Sequence, residues 1–423
     1  MKTSRRKFLT DATRLGVLGG LMSSSVMAIA ENDLMQPFLQ VKKYGPNDTV
    51  RIGIIGTGGR GMNLLRNMGK IEGMDVVACC DILPFRLDNA MKYAATGAKR
   101  YDNYKKLLED NSLDAIVLAV PLSLHFEMAK DILAAGKHLY CEKTMTFTVE
   151  ETKALKPIVD GSGKVFQVGY QHRYNPIYNM VKEILDGDEF GELSHIECYW
   201  NRNGDWRRPV PDPKFERIIN WRMYREYSAG LIGELSSHQI NIVNWMLGGT
   251  PTKVTGIGGI DYWKDGRETY DNVHTIFQYP EGVKLNCTCL TTNAQMGFQM
   301  KFYGKNATIQ LVREADYTAQ LYVEPTYFTD LAKDLEKPQK VDAVSGATAQ
   351  LLKKGEPISI YSEEAGREDA EPTVRCLASF GDCIRENKAP LVGYESGKGS
   401  AICVALANLA MQEEKVIHWK DYV

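Results

Sequence analysis

The chain has 423 residues, of which 44% are hydrophobic, and a formal net charge of −2 at pH 7. This length predicts two domains, and the apolar fraction is that of a globular protein in water. Because the 51 basic residues are balanced by 53 acidic ones, we expect no nucleic-acid-binding surface.

The start of the chain has the pattern of an export signal. Residues 4–9, Ser-Arg-Arg-Lys-Phe-Leu, precede a weakly apolar stretch that ends in Ala28-Ile29-Ala30. This pattern predicts a twin-arginine signal peptide over residues 1–30, removed after Ala30, and hence a periplasmic protein. The alternative is a basic helix or a membrane anchor, but the apolar run is short and rich in Gly and Ser, so we expect no stable anchor. Residues 31–49 are predicted to be a linker.

A glycine-rich turn follows the first predicted strand, Val50–Ile55, and precedes a helix that continues to Met68. Glycines with the G-x-G-x-x-G spacing permit a tight bend, let backbone N–H groups approach a pyrophosphate, and let the helix pack against the strand. A second apolar strand, Val76–Cys80, ends in an acidic residue that would hold the ribose hydroxyls. The alternative is a purely structural turn. The predicted dinucleotide-binding residues are Gly56, Gly58, Gly59, Arg60, Gly61 and Asp81.

The acidic residue also predicts which dinucleotide is bound. Asp81 would repel the 2′-phosphate of NADP, so we expect NAD to be preferred. NADP remains the alternative because the guanidinium of Arg60 or Arg86 could bind that phosphate.

Helices and strands alternate as far as residue 170, which predicts an α/β Rossmann domain with a parallel sheet over residues 50–170. One of the helices begins at Thr148, with Glu151 placed for a capping box. The other predicted elements are helices Pro84–Ala95, Asn103–Glu109 and Phe126–Ala135, and strands Asp114–Pro121, His138–Cys141 and Val165–Tyr170.

Strands follow one another directly in the second half of the chain, so residues 171–423 are predicted to form an α+β domain with an open, predominantly antiparallel sheet. Residues 337–373 have little periodicity and are predicted to be irregular. The predicted strands are Ser194–Asn201, Lys253–Gly259, Val273–Tyr279, Val283–Thr292, Phe298–Tyr303 and Thr308–Val312, with helices Pro176–Leu185, Val374–Arg385 and Ser396–Gln412.

The nine cysteines are odd in number and show no CxxC or CxxH spacing. Most lie within apolar strand or helix patterns. We therefore expect buried free thiols and no metal site.

Oxidation of a secondary alcohol needs a base for the hydroxyl proton, and three residues are candidates for the reaction centre. His238 titrates in the right range, and Glu234, four residues earlier, could orient it. Lys143 follows a predicted parallel strand, where ligands of such sheets bind, and could donate a hydrogen bond to the alcohol oxygen. The alternative for His238 is a structural histidine at the start of a helix.

Residues 199–209 are rich in aromatic and hydrogen-bonding side chains, which suit the apolar faces and hydroxyl rims of sugars. The alternative for any one of these residues is an aromatic core or a subunit interface. The predicted substrate-binding residues are Tyr170, Trp206, Arg207, Trp221, Arg222 and His238.

Taken together, the glycine turn, Asp81, Pro121-x-x-x-His125, Glu142-Lys143, Arg173 and the segment from Gly233 to His238 resemble the Gfo/Idh/MocA oxidoreductases over roughly residues 50 to 415. The resemblance implies a Rossmann domain that binds NAD(P), a sheet that covers the nicotinamide and binds a sugar, inositol or polyol, and a homo-oligomer formed through that sheet. It also implies that Pro121, His125, Glu142, Lys143, Gln171 and Arg173 border the cofactor, with packing as the alternative for His125.

Two positions depart from the family pattern. Thr144 stands where the family usually has Pro, and Glu234 stands where it usually has Asp, so Lys143 and His238 are the safer catalytic assignments.

The function implied is a periplasmic NAD(P)-dependent oxidoreductase that acts on a ring hydroxyl of a sugar, glycoside or polyol and keeps its cofactor tightly bound. One alternative is an NAD-dependent glycosidase that works by oxidation, elimination, hydration and reduction. A further alternative is a protein that binds the cofactor without turnover.

Overall fold

The computed structural model describes residues 44–45, 48–312, 318–324, 357–361 and 371–423. The predicted signal peptide, most of the predicted linker and most of the predicted irregular region 337–373 lie outside the described residues.

The first domain is a parallel sheet of six strands with helices between them, as the alternating pattern predicts. The strand order is β3-β2-β1-β4-β5-β6, and every neighbouring pair is parallel. Its elements are β1 (Val50–Ile55), α1 (Gly59–Met68), β2 (Met74–Cys80), α2 (Pro84–Ala90), β3 (Lys99–Tyr101), α3 (Tyr104–Leu108), β4 (Ala115–Leu118), α4 (His125–Ala134), β5 (His138–Cys141), α5 (Val149–Ser162) and β6 (Phe166–Val168).

The central strands are apolar, apart from the exposed Arg51 near the start of β1, because helices cover both faces of the sheet. Ile52 and Ile54 of β1 and all four residues of β4 are fully buried. The strand order reverses between β1 and β4, so the helices that follow these two strands lie on opposite faces. A crevice opens at the carboxyl ends of the strands at such a point, which is where ligands of this fold bind.

The second domain is built on a sheet of nine strands in the order β14-β13-β12-β11-β7-β10-β9-β8-β15. Only β7 and β10 pair in parallel within the described part of this sheet. The elements are α6 (Pro176–Asp186), β7 (Leu193–Trp200), α7 (Glu216–Ile219), a π-helical turn (Ile232–Ser236), α8 (Ser237–Met246), β8 (Lys253–Gly259), β9 (Asn272–Gln278), β10 (Lys284–Leu290), β11 (Phe298–Gly304), β12 (Ala307–Leu311), β13 (Thr318–Val323), β14 (Ile358–Tyr361), α9 (Pro372–Glu386), α10 (Tyr394–Glu413) and β15 (Ile417–His418).

Buried and exposed residues alternate along these strands, so one face of the nine-stranded sheet is covered and the other is not. Along β10, buried residues alternate with partly exposed ones, and the buried set packs with α8 and α10 in a single core. The opposite face leaves Ile257 and Ile276 exposed to 78% and 47%.

Helix α9 departs from the predicted domain division. Residues 171–423 were expected to form one domain, yet Cys376, Leu377 and Phe380 are fully buried in the core of the first domain. The ring of Phe380 packs edge-on against Tyr140 of β5 at 5.8 Å. An amphipathic pattern reveals that a helix has a buried face but not which sheet it covers.

The expected state of the cysteines is confirmed, since all nine are free and buried. In the part of the chain with described coordinates, His, Cys, Asp and Glu form no cluster suited to a metal ion. None of the helices described is both long enough and apolar enough to cross a membrane.

Candidate active site

A cavity of about 740 Å³ lies where the carboxyl ends of β1, β2, β4 and β5 face the second domain. The glycine-rich turn forms one end of this cavity, and Lys143, Glu234 and His238 line the other. Residues of the segment 206–227 line it from the second-domain side. The cavity therefore joins the predicted dinucleotide site to the predicted reaction centre.

The turn requires glycine at its first and last positions for different reasons. Gly56 has a φ of +88°, and a Cβ there would lie 2.4 Å from the carbonyl oxygen of Ala119, the residue after β4. A Cβ at Gly61 would lie 1.9 Å from the carbonyl oxygen of Gly56. These two residues let the turn close against the sheet and α1 pack on the turn.

The middle glycines face the cavity. Gly58 and Gly59 both line it, and α1 begins at Gly59 with no side chain capping its first turn. The backbone N–H groups there have no partner within the helix, and the helix dipole favours an anion at this end. This arrangement fits the pyrophosphate of a dinucleotide.

Asp81 fixes the turn from the end of β2. Its Oδ2 accepts hydrogen bonds from the N–H (2.8 Å) and the hydroxyl (3.0 Å) of Thr57, and its Oδ1 accepts one from the N–H of Leu83 at 2.9 Å. A carboxylate has about four acceptor sites, so one site on Oδ1 stays available. Asp81 lines the cavity and can therefore accept a ribose hydroxyl as well as hold the turn.

Arg60 and Arg86, the two arginines that could bind the 2′-phosphate of NADP, make different contacts. The Nε of Arg60 donates to Oε1 of Glu142 at 2.8 Å, and its Nη2 donates to Oε1 of Gln171 at 3.2 Å. Arg60 therefore joins the start of α1 to the end of β5. The guanidinium of Arg86 lies beside the turn, where a Cβ at Gly58 would be 3.3 Å from its Nη1.

Lys143 is held at the cavity by the π-helical turn. Its Nζ donates to the carbonyl oxygens of Glu234 at 3.0 Å and Gly233 at 3.4 Å, and the Lys143–Thr144 peptide bond is cis. An ammonium group has three protons, so one remains for an oxygen in the cavity. Burial lowers the pKa of Lys143, although the charges of Glu234 and Glu142 oppose that shift.

His238 lies on the first turn of α8, lines the cavity and is only 5% exposed. Its ring is 4.7 Å from that of His172 and 5.8 Å from that of Trp200. Its Nδ1 has no hydrogen-bond partner among the residues that the structure describes. Burial holds the pKa of His238 well below 6.5, and the nearby His172, Lys143 and Arg60 lower it further. The imidazole is therefore neutral at pH 7 and able to accept a proton.

Glu234 does not orient His238 as expected. Its Oε2 accepts a hydrogen bond from Nε of Arg222 at 2.6 Å, within an ion pair. Burial alone would raise the pKa of Glu234, but the positive charges of Arg222 and Lys143 lower it instead. The four-residue spacing suggested one α-helical face, whereas Glu234 belongs to a π-helical turn and only His238 to α8.

Arg222 also stacks on a neighbouring aromatic ring. Its guanidinium carbon lies 4.3 Å from the ring centroid of Trp221, and both residues line the cavity near Glu234. We call Trp221, Arg222 and Glu234 the side wall. It gives the reaction end of the cavity an aromatic face next to an ion pair.

Six of the predicted site residues do not line the cavity, and one of them is Gly61, which is buried inside α1. Arg173 stacks on Trp245 at 4.1 Å, and Arg207 forms ion pairs with Asp265 and Glu216. His125 is buried, with its ring nitrogens 2.8 Å and 3.1 Å from the carbonyl oxygens of Thr144 and Val120, so it ties together the loops after β5 and β4. The other two are Trp206, which packs on the second-domain core, and Tyr170, which is buried behind the ring of His238.

The remaining predicted residues line the cavity together with others that sequence reasoning missed. Pro121, Glu142 and Gln171 are among the predicted ones. Most of the missed residues belong to the first domain, at or near the carboxyl ends of its strands, and five come from segment 206–227. That segment has no periodicity, so its sequence pattern does not show which of its residues face the cavity. The five residues of that segment are Arg208, Arg217, Ile218, Ile219 and Tyr227.

Comparison with known proteins agrees with this geometry. A family model described as an oxidoreductase family with an NAD-binding Rossmann fold matches residues 50–170, and a Gfo/Idh/MocA C-terminal domain model matches residues 178–310. Inositol 2-dehydrogenase of Salmonella typhimurium is 26% identical over 202 residues, which are 47% of this chain and 55% of that protein. A glycosyl hydrolase family 109 protein of Shewanella pealeana is 28% identical over 239 residues, 53% of this chain and 51% of that protein.

The chain thus spans about half the length of these curated relatives. Among solved structures, levoglucosan dehydrogenase in complex with NADH and levoglucosan superposes with a TM-score of 0.69 at 15% identity, covering 88% of this chain and 99% of that one. The two proteins share a fold. Two models of one family together match more than half of the 423 residues, and the uncapped glycine turn fits a pyrophosphate. The chain therefore belongs to the Gfo/Idh/MocA oxidoreductase family, and NAD(H) is the cofactor of its first domain.

Proposed function

We propose that this protein is an NAD(H)-dependent oxidoreductase that interconverts a ring hydroxyl and a ketone of a sugar, glycoside or polyol. The observation that carries the proposal is that a neutral, buried His238 and the ammonium group of Lys143 line the same cavity as the glycine-rich turn. An acid and a base at the end of a dinucleotide site are what alcohol oxidation requires.

Each residue has a separate role in this reaction. His238 accepts the proton of the substrate hydroxyl, because its imidazole is neutral. Lys143 donates its remaining proton as a hydrogen bond to the same oxygen, which stabilises negative charge as the hydroxyl proton leaves. NAD, when bound, supplies the hydride acceptor. In the reverse direction His238 returns the proton and Lys143 polarises the ketone.

The side wall supports a carbohydrate or polyol as the substrate. Trp221 offers an aromatic face for the C–H groups of a ring, and Gln171, which binds the same guanidinium of Arg60 as Glu142 does, also lines the cavity. The charges of Arg222 and Glu234 cancel each other, so the wall favours an uncharged, hydroxyl-rich molecule. Inositol and levoglucosan, which appear in the names of two of the similar proteins, belong to this class.

A glycosidase that works through NAD is the second candidate, and the 28% identity to a glycosyl hydrolase family 109 protein favours it. Both candidates begin with oxidation of a ring hydroxyl and use His238 and Lys143 in the same way. They differ in whether the reduced cofactor is reoxidised on the same substrate molecule.

One experiment separates the two candidates. The purified protein with NAD would be mixed with a panel of polyols, free sugars and aryl glycosides, while nicotinamide absorbance and aglycone release are both recorded. We expect reduced nicotinamide to accumulate with a polyol or sugar, without release of aglycone from the glycosides. Catalytic aglycone release without net reduction would establish the glycosidase instead.

We further propose that the protein is exported by the twin-arginine pathway with its cofactor already bound, and that a second, carbonyl-containing substrate reoxidises that cofactor in place. The pair Arg5-Arg6 and the Ala28-Ile29-Ala30 end support export.

A homo-oligomer formed through the exposed face of the nine-stranded sheet is also a proposal. The exposure of Ile257 and Ile276 on that face supports it.

A further inference from the structure

Segment 206–227 of the second domain, which we call the cover segment, reaches across the dinucleotide end of the cavity. Its Phe215 packs edge-on against Phe85, just after the start of α2, with ring centroids 6.0 Å apart. The carbonyl oxygen of Tyr227 accepts a hydrogen bond from the N–H of Ser123 at 3.4 Å. The cover segment is therefore in contact with the first domain near its middle and at its last residue.

Two arginines flank the glycine turn, one from each domain. A Cβ on Gly58 would lie 3.3 Å from Nη1 of Arg86, and a Cβ on Gly59 would lie 4.0 Å from Nη2 of Arg208. Both arginines line the cavity. The positive charge of each is therefore next to the uncapped start of α1.

These two side chains differ from the other arginines that line the cavity. Arg60 pairs with Glu142, Arg217 with Glu226, and Arg222 with Glu234. Across the described residues, the guanidinium groups of Arg86 and Arg208 make neither an ion pair nor a hydrogen bond. Their positive charges are thus not neutralised by a bonded carboxylate.

The two charges also act on each other. Burial lowers the pKa of Arg86, the charge of Asp81 opposes this shift, and the charges of Arg208 and Arg222 add to it. Two unneutralised guanidinium groups beside the same turn repel each other, so a dianion between them would relieve the repulsion. The pyrophosphate of a dinucleotide carries two negative charges.

The backbone of Arg208 is held in place by its neighbours. Its N–H donates to Oδ1 of the buried Asn220 at 2.8 Å, and Nδ2 of Asn220 donates back to the carbonyl oxygen of Arg208 at 3.2 Å. The preceding Arg207 is bound to Asp265 and Glu216 on the second-domain side. The two consecutive arginines therefore have different roles. Arg207 fixes the cover segment to the second domain, and Arg208 faces the cavity.

From these observations we infer that Arg208, together with Arg86, binds the pyrophosphate of NAD, so that the second domain closes directly on the cofactor. This inference rests on the NAD site of the first domain and not on the identity of the sugar. It also gives a physical basis for slow cofactor release, because the cover segment must move before the diphosphate can leave.

Nucleotide fragments test the inference without requiring turnover. Binding of ADP, adenosine and adenosine 2′-phosphate would be measured by calorimetry with the nucleotide-free protein and with Arg208→Ala, Arg208→Lys and Arg66→Ala. Arg66 is the control because it lies on α1, the helix that begins at the glycine turn, but stacks on Tyr93 at the surface. A charge-assisted bond to phosphate predicts that Arg208→Ala weakens ADP binding about 10-fold or more and leaves adenosine binding unchanged.

The remaining measurements decide between the inference and its rivals. Arg208→Lys should retain part of the ADP affinity, Arg66→Ala should retain all of it, and bound NAD should dissociate faster from Arg208→Ala. Unchanged ADP affinity in Arg208→Ala would overturn the inference, and so would an equal loss for adenosine, which would mean that the cover segment had moved. A loss confined to adenosine 2′-phosphate would overturn it by assigning Arg208 to the ribose phosphate instead.

Discussion

At the scale of single residues, burial sets the protonation of the side chains in the proposed reaction centre. A histidine in water has a pKa of about 6.5 and would be partly charged near neutrality. His238 is enclosed by aromatic rings and lies near two cationic side chains, so its neutral form is favoured. Lys143, although its own pKa is lowered, keeps its place through two backbone carbonyl oxygens rather than a carboxylate.

The lowered pKa of His238 predicts the pH dependence of the reaction. A base must be unprotonated, and the pKa of His238 lies well below 6.5, so the neutral form persists as the pH falls through 6.5. We expect the acidic limb of kcat/KM to lie below pH 6.5. The measurement is a pH profile of NAD reduction, with His195→Asn as a control because His195 lies beside Glu197, away from the cavity. A limb above pH 7 in the wild-type protein would contradict the role of His238.

At the scale of elements, the glycine turn and the helix after it act as one unit. Gly61 lies inside α1, where a side chain would normally favour the helix, but its Cβ position is occupied by the carbonyl oxygen of Gly56. The sequence pattern therefore predicts both the turn and the reason for its third glycine. Asp81 extends this unit to β2 through its bonds to Thr57.

Replacing Gly61 tests that unit. Gly61→Ala forces a Cβ to within 1.9 Å of the Gly56 oxygen, so the backbone must shift. We expect a loss of about 2 kcal/mol or more in the free energy of unfolding, with weaker NAD binding. Gly161→Ala is the matched control, because this glycine is exposed inside α5 and has nothing within 4 Å of its Cβ position. Denaturant unfolding should show that this variant is as stable as the wild type or up to about 1 kcal/mol more stable. Equal stabilities for the two alanine variants would refute the packing argument.

Periodicity accounts for most elements predicted from the sequence, and its limits explain the ones missed. The alternation over residues 50–170 gives the parallel sheet, and Thr148 with Glu151 forms the expected capping box. Strand β3 was missed because it has only three residues, two of them exposed and charged. The helix from Pro84 ends at Ala90 and not at Ala95, and the chain then turns toward Gly97, where φ is +80°.

The candidate site was less predictable than the fold. Residues within local motifs, such as Asp81 and Lys143, could be placed because each follows a strand whose carboxyl end faces the cavity. Arg208 could not, because its contact with the glycine turn depends on how the second domain lies against the first. The prediction that Arg207 binds the substrate was wrong for the same reason. The sequence does not distinguish the arginine that anchors the segment from its neighbour that faces the cavity.

At the scale of the whole molecule, the two domains are joined by more than the connection after β6. Helix α9 returns to the first domain, and its Arg385 donates a hydrogen bond to the carbonyl oxygen of Asp48 at 2.9 Å. The cover segment contacts the first domain from the other side of the cavity. Both links favour a protein that closes around a resident cofactor, which suits the proposed export in the folded state.

Export through the twin-arginine pathway predicts a dependence on both arginines of the motif. Replacing Arg5 and Arg6 together by Lys should leave the folded protein in the cytoplasm, because the charge is kept but the guanidinium groups are lost. Cell fractionation followed by immunoblotting measures this, with Lys2→Arg as the control. Wild-type levels of periplasmic protein from the double-lysine variant would show that export does not use this signal.

The most direct test of the central claim is the rate at which bound NAD is reduced in single turnover. The polyol or sugar that reduces the wild-type protein fastest would be mixed with His238→Asn, Lys143→Ala and the surface control Lys99→Ala, each saturated with NAD. General-base catalysis predicts that the first two form reduced nicotinamide about 100-fold or more slowly, while their NAD affinity and the rate of the control stay unchanged. Reduction at the wild-type rate in His238→Asn or Lys143→Ala would contradict the claim that these residues carry out the reaction.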